Sequence, residues 1–261
     1  MKIIENELKT LNAHLLDGFI EPFEDCELTN FVREKSKQIR ATISILYLKA
    51  LNIEITQDIY KILSATEIVH NASLLHDDVI DNADTRRNKP TISKIFNPKI
   101  AVLAGDYLIS FAIEKLLSLN NSDIISNYKL TIQQMCKAEI KQFSLRNFVP
   151  MIEDYIEICT GKTAALFVTT LKSCFDILNL QENQGLEFVK TFGIYFQLKN
   201  DMEKISAQND KKNKIYTAKD ILGIEKTNIL LDNYRRELIN MIQYLQDSAY
   251  KHELVKIIRE I

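Results

Sequence analysis

Through 261 residues the chain has only six glycines and four prolines. These are the residues that end helices and build tight turns, so their scarcity constrains the fold more than any other feature. A sheet-rich chain needs a turn about every 8–12 residues. Turn-forming residues gather here at a few places: Asn88-Lys89-Pro90, Asn97-Pro98, Asn120-Asn121-Ser122-Asp123 and Val149-Pro150. Between them apolar residues recur at helical spacing, as at Ile140 and Phe143, the pattern of amphipathic helices. Helices are predicted near 28–52, 56–83, 99–118, 122–147, 152–176, 183–208 and 225–246, with a short one at the end. The polar run from Gln208 to Lys214 is predicted to be a loop. Hydrophobic residues make up 46% of the chain, enough for a sizeable core, and no linker, repeat or low-complexity tract divides it. The expected fold is all-α: one domain over 1–261, a large helical bundle.

The formal net charge of −2 gives no global reason to expect nucleic acid or an anionic membrane as partner. Cys26, Cys136, Cys159 and Cys174 have no CxxC or Cys/His metal spacing. The last three stand in apolar, helix-like surroundings and are expected to be reduced core residues. There is no apolar run of transmembrane length, and an N-terminus with Glu5 and Glu7 does not read as a signal peptide. A soluble, cytoplasmic protein is expected.

The chemistry concentrates in His76-Asp77-Asp78-Val79-Ile80-Asp81 and the following Arg86-Arg87. Glu67 to Leu75 runs into the acidic residues without a turn signal, so the carboxylates emerge from a helix that reads as buried. Asp77 and Asp81 are four apart and project from one helix face, one turn from each other. Two carboxylates so placed repel unless a cation sits between them. Mg²⁺ suits the position: it is hard, prefers oxygen and bridges a few carboxylates to substrate phosphates. Arg86 and Arg87 supply charge-assisted donors to the same phosphates. The pattern points to a Mg²⁺–diphosphate site at the end of a buried helix. A solvated helix end is the plainer alternative for the pentapeptide alone.

The stretch from Glu67 to Asp81, with Arg86-Arg87 and Pro90-Thr91, resembles the first aspartate-rich region of the trans-polyprenyl diphosphate synthases. Other stretches resemble that family in the same order. Lys37-Gln38-Ile39-Arg40 is similar to its KxxR, Ala101 to Leu108 to its next helix start, and Glu139 with Gln142 to its GExxQ. Gly161-Lys162-Thr163 is similar to its KT motif and Phe196-Gln197 to its FQxxDD. The resemblance covers about residues 30 to 245 and implies an isoprenoid-synthase bundle, usually a homodimer. It implies a prenyltransferase that joins an allylic prenyl diphosphate to isopentenyl diphosphate. Asp77 and Asp81 would hold Mg²⁺, with Asp201 as a further metal ligand. Arg86 would hold the allylic diphosphate, and Lys37, Arg40, His70 and Arg87 the isopentenyl diphosphate. Lys162, Thr163 and Gln197 would flank the reacting centre. Read without the family, Lys162-Thr163 marks a helix irregularity, and Lys37 and Arg40 are charges on a helix face.

The second aspartate-rich stretch departs from the family. Where DDxxD is expected, the chain has Asn200-Asp201-Met202-Glu203-Lys204. Lys204 either weakens a metal site or contacts a diphosphate directly, and the residues leave both open. Lys35-Ser36 replace paired glycines and Ala41 a proline; the downstream GK lysine has Lys212 and Lys214 as candidates. In this family bulky residues four and five before the first aspartate stop chain growth. Here they are the small Ser73 and Ala72, which implies a product of C20 or longer, with Leu108 and Phe111 as deeper floor positions. Two alternatives stand beside the elongase. One is a terpene synthase: Asn200-Asp201 begins like its NSE motif, but Lys204 and Gln208 break it. The other is a catalytic subunit of a heteromeric synthase.

Overall fold

The computed structural model describes residues 2–34, 38–203 and 215–260. Among them the regular secondary structure is helical except for one short hairpin, and the chain folds as two compact units. The first unit comprises the N-terminal segment through Thr42 and Ile55–Ile125; the second comprises Ile43–Glu54 and the chain from Ser126 onward.

In the first unit, α1 (Glu5–Leu15) and α6 (Pro98–Leu117) pack against α4 (Gln57–Ile80), with α2 (Glu27–Arg33), α5 (Ile92–Ile95) and the start of α3 (Ile39–Ala50) around them. Thr56 begins α4: its extended backbone and side-chain oxygen, which accepts from Ile59 N–H, form an N-cap. No glycine or proline interrupts the 24 residues that follow. Ile59, Leu63, Ile68, Ala72 and Leu75 are all buried, so α4 is buried on several sides and shows little amphipathic contrast. Asn97 caps α6 in the same way, accepting from Ile100 N–H at 3.0 Å, with Pro98 in the first turn.

Between these helices Thr85–Arg86 (β1) and Lys89–Pro90 (β2) pair antiparallel. Arg87 and Asn88 make the two-residue turn, both with positive φ (51° and 64°), as a primed hairpin turn requires. The punctuation at Asn88-Lys89-Pro90 is therefore a hairpin that carries both arginines.

In the second unit, α8 (Ile152–Cys159) runs into α9 (Ala165–Ile177) through one π-helical turn, Thr160–Ala164. A Cβ on Gly161 would lie 2.8 Å from the Ala138 Cβ of α7 (Ser122–Ser144). One on Gly193 of α10 (Asn183–Glu203) would lie 2.5 Å from the Ala164 Cα. The two glycines let α7 and α10 reach the π turn from two sides. Phe167, Phe188, Phe192 and Phe196 stack along α9 and α10. The helices Ala218–Leu222 (α11), Ile224–Met241 (α12) and Ala249–Glu260 (α13) complete the unit.

Several boundaries differ from expectation. The span 28–52 holds two helices, α2 and α3, and the span 152–176 is interrupted by the π turn, so Lys162-Thr163 does mark an irregularity. α1 and the hairpin were outside the predicted elements. The predicted loop at Gln208–Lys214 lies outside the described residues. Cys159 and Cys174 are buried, but Cys136 is exposed, because it lies on a face of α7 that the unit does not cover.

Candidate active site

The first unit gathers six of the expected residues. Asp77 and Asp81 occupy the last turn of α4 and its C-cap, both half-buried. Asp78, between them, turns inward and is 1% exposed. It accepts from Arg86 Nε at 2.8 Å and lies 2.7 Å from Arg86 Nη2, while its second oxygen is buried without a hydrogen bond. Burial raises the Asp78 pKa, and the Arg86 bond and charge oppose the rise. Arg86, the expected allylic-diphosphate ligand, is thus already oriented by a carboxylate. Arg87 and Lys89 approach opposite oxygens of Glu34, at 3.8 and 3.1 Å.

About two to three turns back along α4, Glu67 and His70 meet Arg40 of α3. Arg40 and Glu67 are both buried, and Glu67 accepts from the Ala41 N–H at 3.3 Å. Burial pushes the Arg40 guanidinium down to about 10, against the opposing pull of Glu67. The Glu67 carboxyl is pushed up by burial and pulled back by Arg40, its backbone bond and Arg87. His70 is held well below its usual value by burial first, then by Arg40, Arg87 and Arg86. Three guanidiniums therefore act on one imidazole, and each also faces a carboxylate, Arg40 with Glu67, Arg86 with Asp78 and Arg87 with Glu34, so they are directed donors that a polyanion could take up. Lys37, expected here too, lies outside the described residues.

The second unit gathers the others around the π turn, a deformation common at functional sites. Lys162 forms an ion pair with Glu139 of α7. The Thr163 hydroxyl donates to Gln197 Oε1 at 3.0 Å; the Gln197 amide donates to Asp201 Oδ1 at 3.0 Å; the Tyr155 hydroxyl donates to Asp201 Oδ2 at 2.7 Å. Burial raises the Tyr155 phenol far above its usual range and pushes the adjacent Cys159 thiol up to about 12. Lys199 pairs with Glu203 one turn on, at 3.3 Å. Lys204, Gln208, Lys212 and Lys214 lie outside the described residues.

Asp78 and Tyr155 were missed from the sequence. Asp78 had a signal: it continues the inward row of Ala72 and Leu75 at three-residue steps. Tyr155 had none beyond its place in an apolar helix.

As a metal site the donor set is specific. Asp77 and Asp81 offer only oxygen, and no group of three His, Cys, Asp or Glu side chains suited to a metal occurs among the described residues. Two carboxylates fit Mg²⁺, which keeps several waters and completes its shell with phosphate oxygens; they do not form an all-protein cage. Among the described residues no helix is long and apolar enough to cross a membrane.

The family model described as Polyprenyl synthetase matches residues 26–261. A prenyl transferase of Cyanidium caldarium is 32% identical over 195 residues, 72% of this chain and 60% of that protein. A decaprenyl-diphosphate synthase of Dictyostelium discoideum is 30% identical over 249 residues, 88% of this chain and 54% of that protein. The matched regions thus span a little more than half of these two relatives. Among solved structures, a decaprenyl diphosphate synthase from Rhodobacter capsulatus superposes with a TM-score of 0.88 at 19% identity, covering 99% of this chain and 96% of that one. At that identity the likeness establishes a shared helical fold.

Proposed function

The chain belongs to the polyprenyl synthetase family, and from that premise we propose that it is a trans-prenyltransferase, condensing an allylic prenyl diphosphate with isopentenyl diphosphate. One observation carries this reading. A buried helix ends on two carboxylates one turn apart, with Arg86 fixed beside them by Asp78 and with Arg40, His70 and Arg87 in the same unit.

Asp77 and Asp81 would hold Mg²⁺. When bound, the metal supplies Lewis-acid stabilisation of the charge on the departing diphosphate. Arg86, fixed by Asp78, adds directed donors to that leaving group. Arg40, His70 and Arg87, with Lys37, hold the isopentenyl diphosphate; the neutral imidazole gives a hydrogen bond without adding repulsion among the guanidiniums. Loss of the allylic diphosphate leaves a carbocation, which the isopentenyl double bond attacks, and loss of a proton completes the longer chain. Such a cation survives only where water is excluded. Thr163 and Gln197 are hydrogen-bonded to each other at the π turn, and Lys162, paired with Glu139, adds a cation beside them.

The small Ala72 and Ser73 on α4 support a product of C20 or longer, in keeping with the decaprenyl relative. We propose a homodimer in the cytoplasm. The first unit leaves Leu103 and Leu117 of α6 exposed, and the second leaves Leu130, Ile140 and Phe143 of α7 exposed, apolar surface of the kind a second copy would cover.

The test is a mass-spectrometric product assay with Mg²⁺, isopentenyl diphosphate and dimethylallyl, geranyl or farnesyl diphosphate. A ladder of longer prenyl diphosphates is expected. A hydrocarbon or alcohol from the allylic substrate alone would make the protein a terpene synthase instead, and no turnover in either arm would overturn the reading for the isolated chain.

A further inference from the structure

Asp201 is the one aspartate left in the second acidic stretch. It is 8% exposed, and each oxygen accepts a hydrogen bond, one from Tyr155 on α8 and one from Gln197 a turn earlier on α10. The polarity of this chain of bonds is determined. Both Asp201 oxygens accept, so the Gln197 NH₂ is turned to the carboxyl group and Oε1 the other way. Oε1 then commits the Thr163 proton, leaving the Thr163 oxygen with lone pairs alone to present. The buried Tyr155 phenol stays protonated and remains a donor. The alternative use of Asp201, as a metal ligand, lacks support around it. Asn200 is neutral, Glu203 is paired with Lys199, and no third acidic or metal-binding side chain joins them among the described residues. Mg²⁺ also keeps several waters and needs room for them, which a buried, doubly bonded carboxylate does not offer.

We infer that Asp201 is a positioning residue, fixed by Tyr155, that orients Gln197 and Thr163, and that it is not a metal ligand in this chain. The kinetic part of this inference rests on the prenyltransferase reading; the metal part does not.

The test uses the full chain as wild type, Tyr155→Phe, Asp201→Asn, the double variant and Asp77→Asn, each checked for folding by circular dichroism. Mn²⁺ bound per chain is counted by electron paramagnetic resonance with inorganic pyrophosphate present. Tyr155→Phe and Asp201→Asn should bind as wild type does, and Asp77→Asn should bind less. In the elongation assay the two positioning variants should each lower kcat about ten- to a hundredfold, as loss of alignment does. Their half-saturating Mg²⁺ should stay within about twofold, and the double variant should be no worse than the worse single one. Loss of a bound Mn²⁺ in Asp201→Asn would overturn the inference, as would wild-type kcat in Tyr155→Phe. Should Asp201→Asn not fold, Asp201→Ser replaces it in the Mn²⁺ count, and Tyr155→Phe, which removes a single oxygen, decides the kinetic part. If wild type does not elongate, the functional reading falls and the Mn²⁺ count still decides whether Asp201 binds metal.

Discussion

His70 should make the protein labile to mild acid, and His70→Gln should remove that part of the lability. Burial and the charges of Arg40, Arg87 and Arg86 hold the folded imidazole well below its ordinary value of 6.5. In the unfolded chain those influences are gone. As pH falls below the ordinary value, the unfolded state takes up a proton that the folded state refuses, so stability falls with pH. The contribution is fully present above the unfolded pKa and is lost from there down toward the folded pKa. One proton sets the slope at no more than about 1.4 kcal/mol per pH unit, so the loss between 6.5 and 5 stays below about 2 kcal/mol. That is a sizeable part of a total of roughly 5–15 kcal/mol. Urea unfolding of both proteins between about pH 7.5 and 5 measures it through the difference between wild type and His70→Gln. The difference matters because Glu67, raised by burial, works the other way, losing stability as pH rises. Glu67 and the other three histidines are common to both proteins and largely cancel. A difference that stays constant within about 0.5 kcal/mol over that range would refute the neutral, cation-surrounded imidazole, since linkage requires it to change.

Asp77→Ala should cost at least about a hundredfold in turnover, about 3 kcal/mol, in the product assay; unchanged turnover would remove the metal site. Asp78→Ala deprives Arg86 of its counter-charge. Arg86 is 28% exposed and recovers some hydration, so the expected loss is about 2 kcal/mol, or roughly 4–8 °C in Tm. Gly193→Ala puts a methyl 2.5 Å from the Ala164 Cα and should destabilise by about 1–3 kcal/mol in thermal unfolding; wild-type Tm would mean that α10 can move off the π turn freely. Ala72→Phe should shorten the product ladder; an unchanged end point places the pocket floor elsewhere.

The long helices were legible because their cause is local: few breakers, and apolar residues at helical spacing, as in α7 and α12. The Asp77/Asp81 pair was legible for the same reason, since four-residue spacing fixes a shared face. What escaped depends on tertiary context. Arg87 adopts a left-handed conformation because the hairpin demands it, and nothing in its residue type announces that. The span 28–52 read as one helix because no glycine or proline divides it, yet α2 and α3 are separate. The Ile140 and Phe143 periodicity gave the helix correctly but not its surroundings, for both side chains are exposed. Periodicity identifies an apolar face and cannot say what covers it.

The two acidic stretches share a division of labour that explains where this chain departs from its family. In each, the second residue of the pair faces inward and orients a functional side chain: Asp78 holds Arg86, and Asp201 holds Gln197. In each, the first residue, Asp77 or Asn200, is half-buried. The substitution of aspartate by Asn200 falls on the outward position and leaves the inward one intact. The physical reason follows from burial. Losing Asp201 would strand the Tyr155 hydroxyl and free the Gln197 amide inside the helix pack, where an unmet polar group costs about 1–3 kcal/mol. Losing an outward carboxylate removes repulsion between ligand-binding anions and costs the fold little. Stability therefore holds the inward carboxylate in place, and ligand chemistry alone governs the outward one.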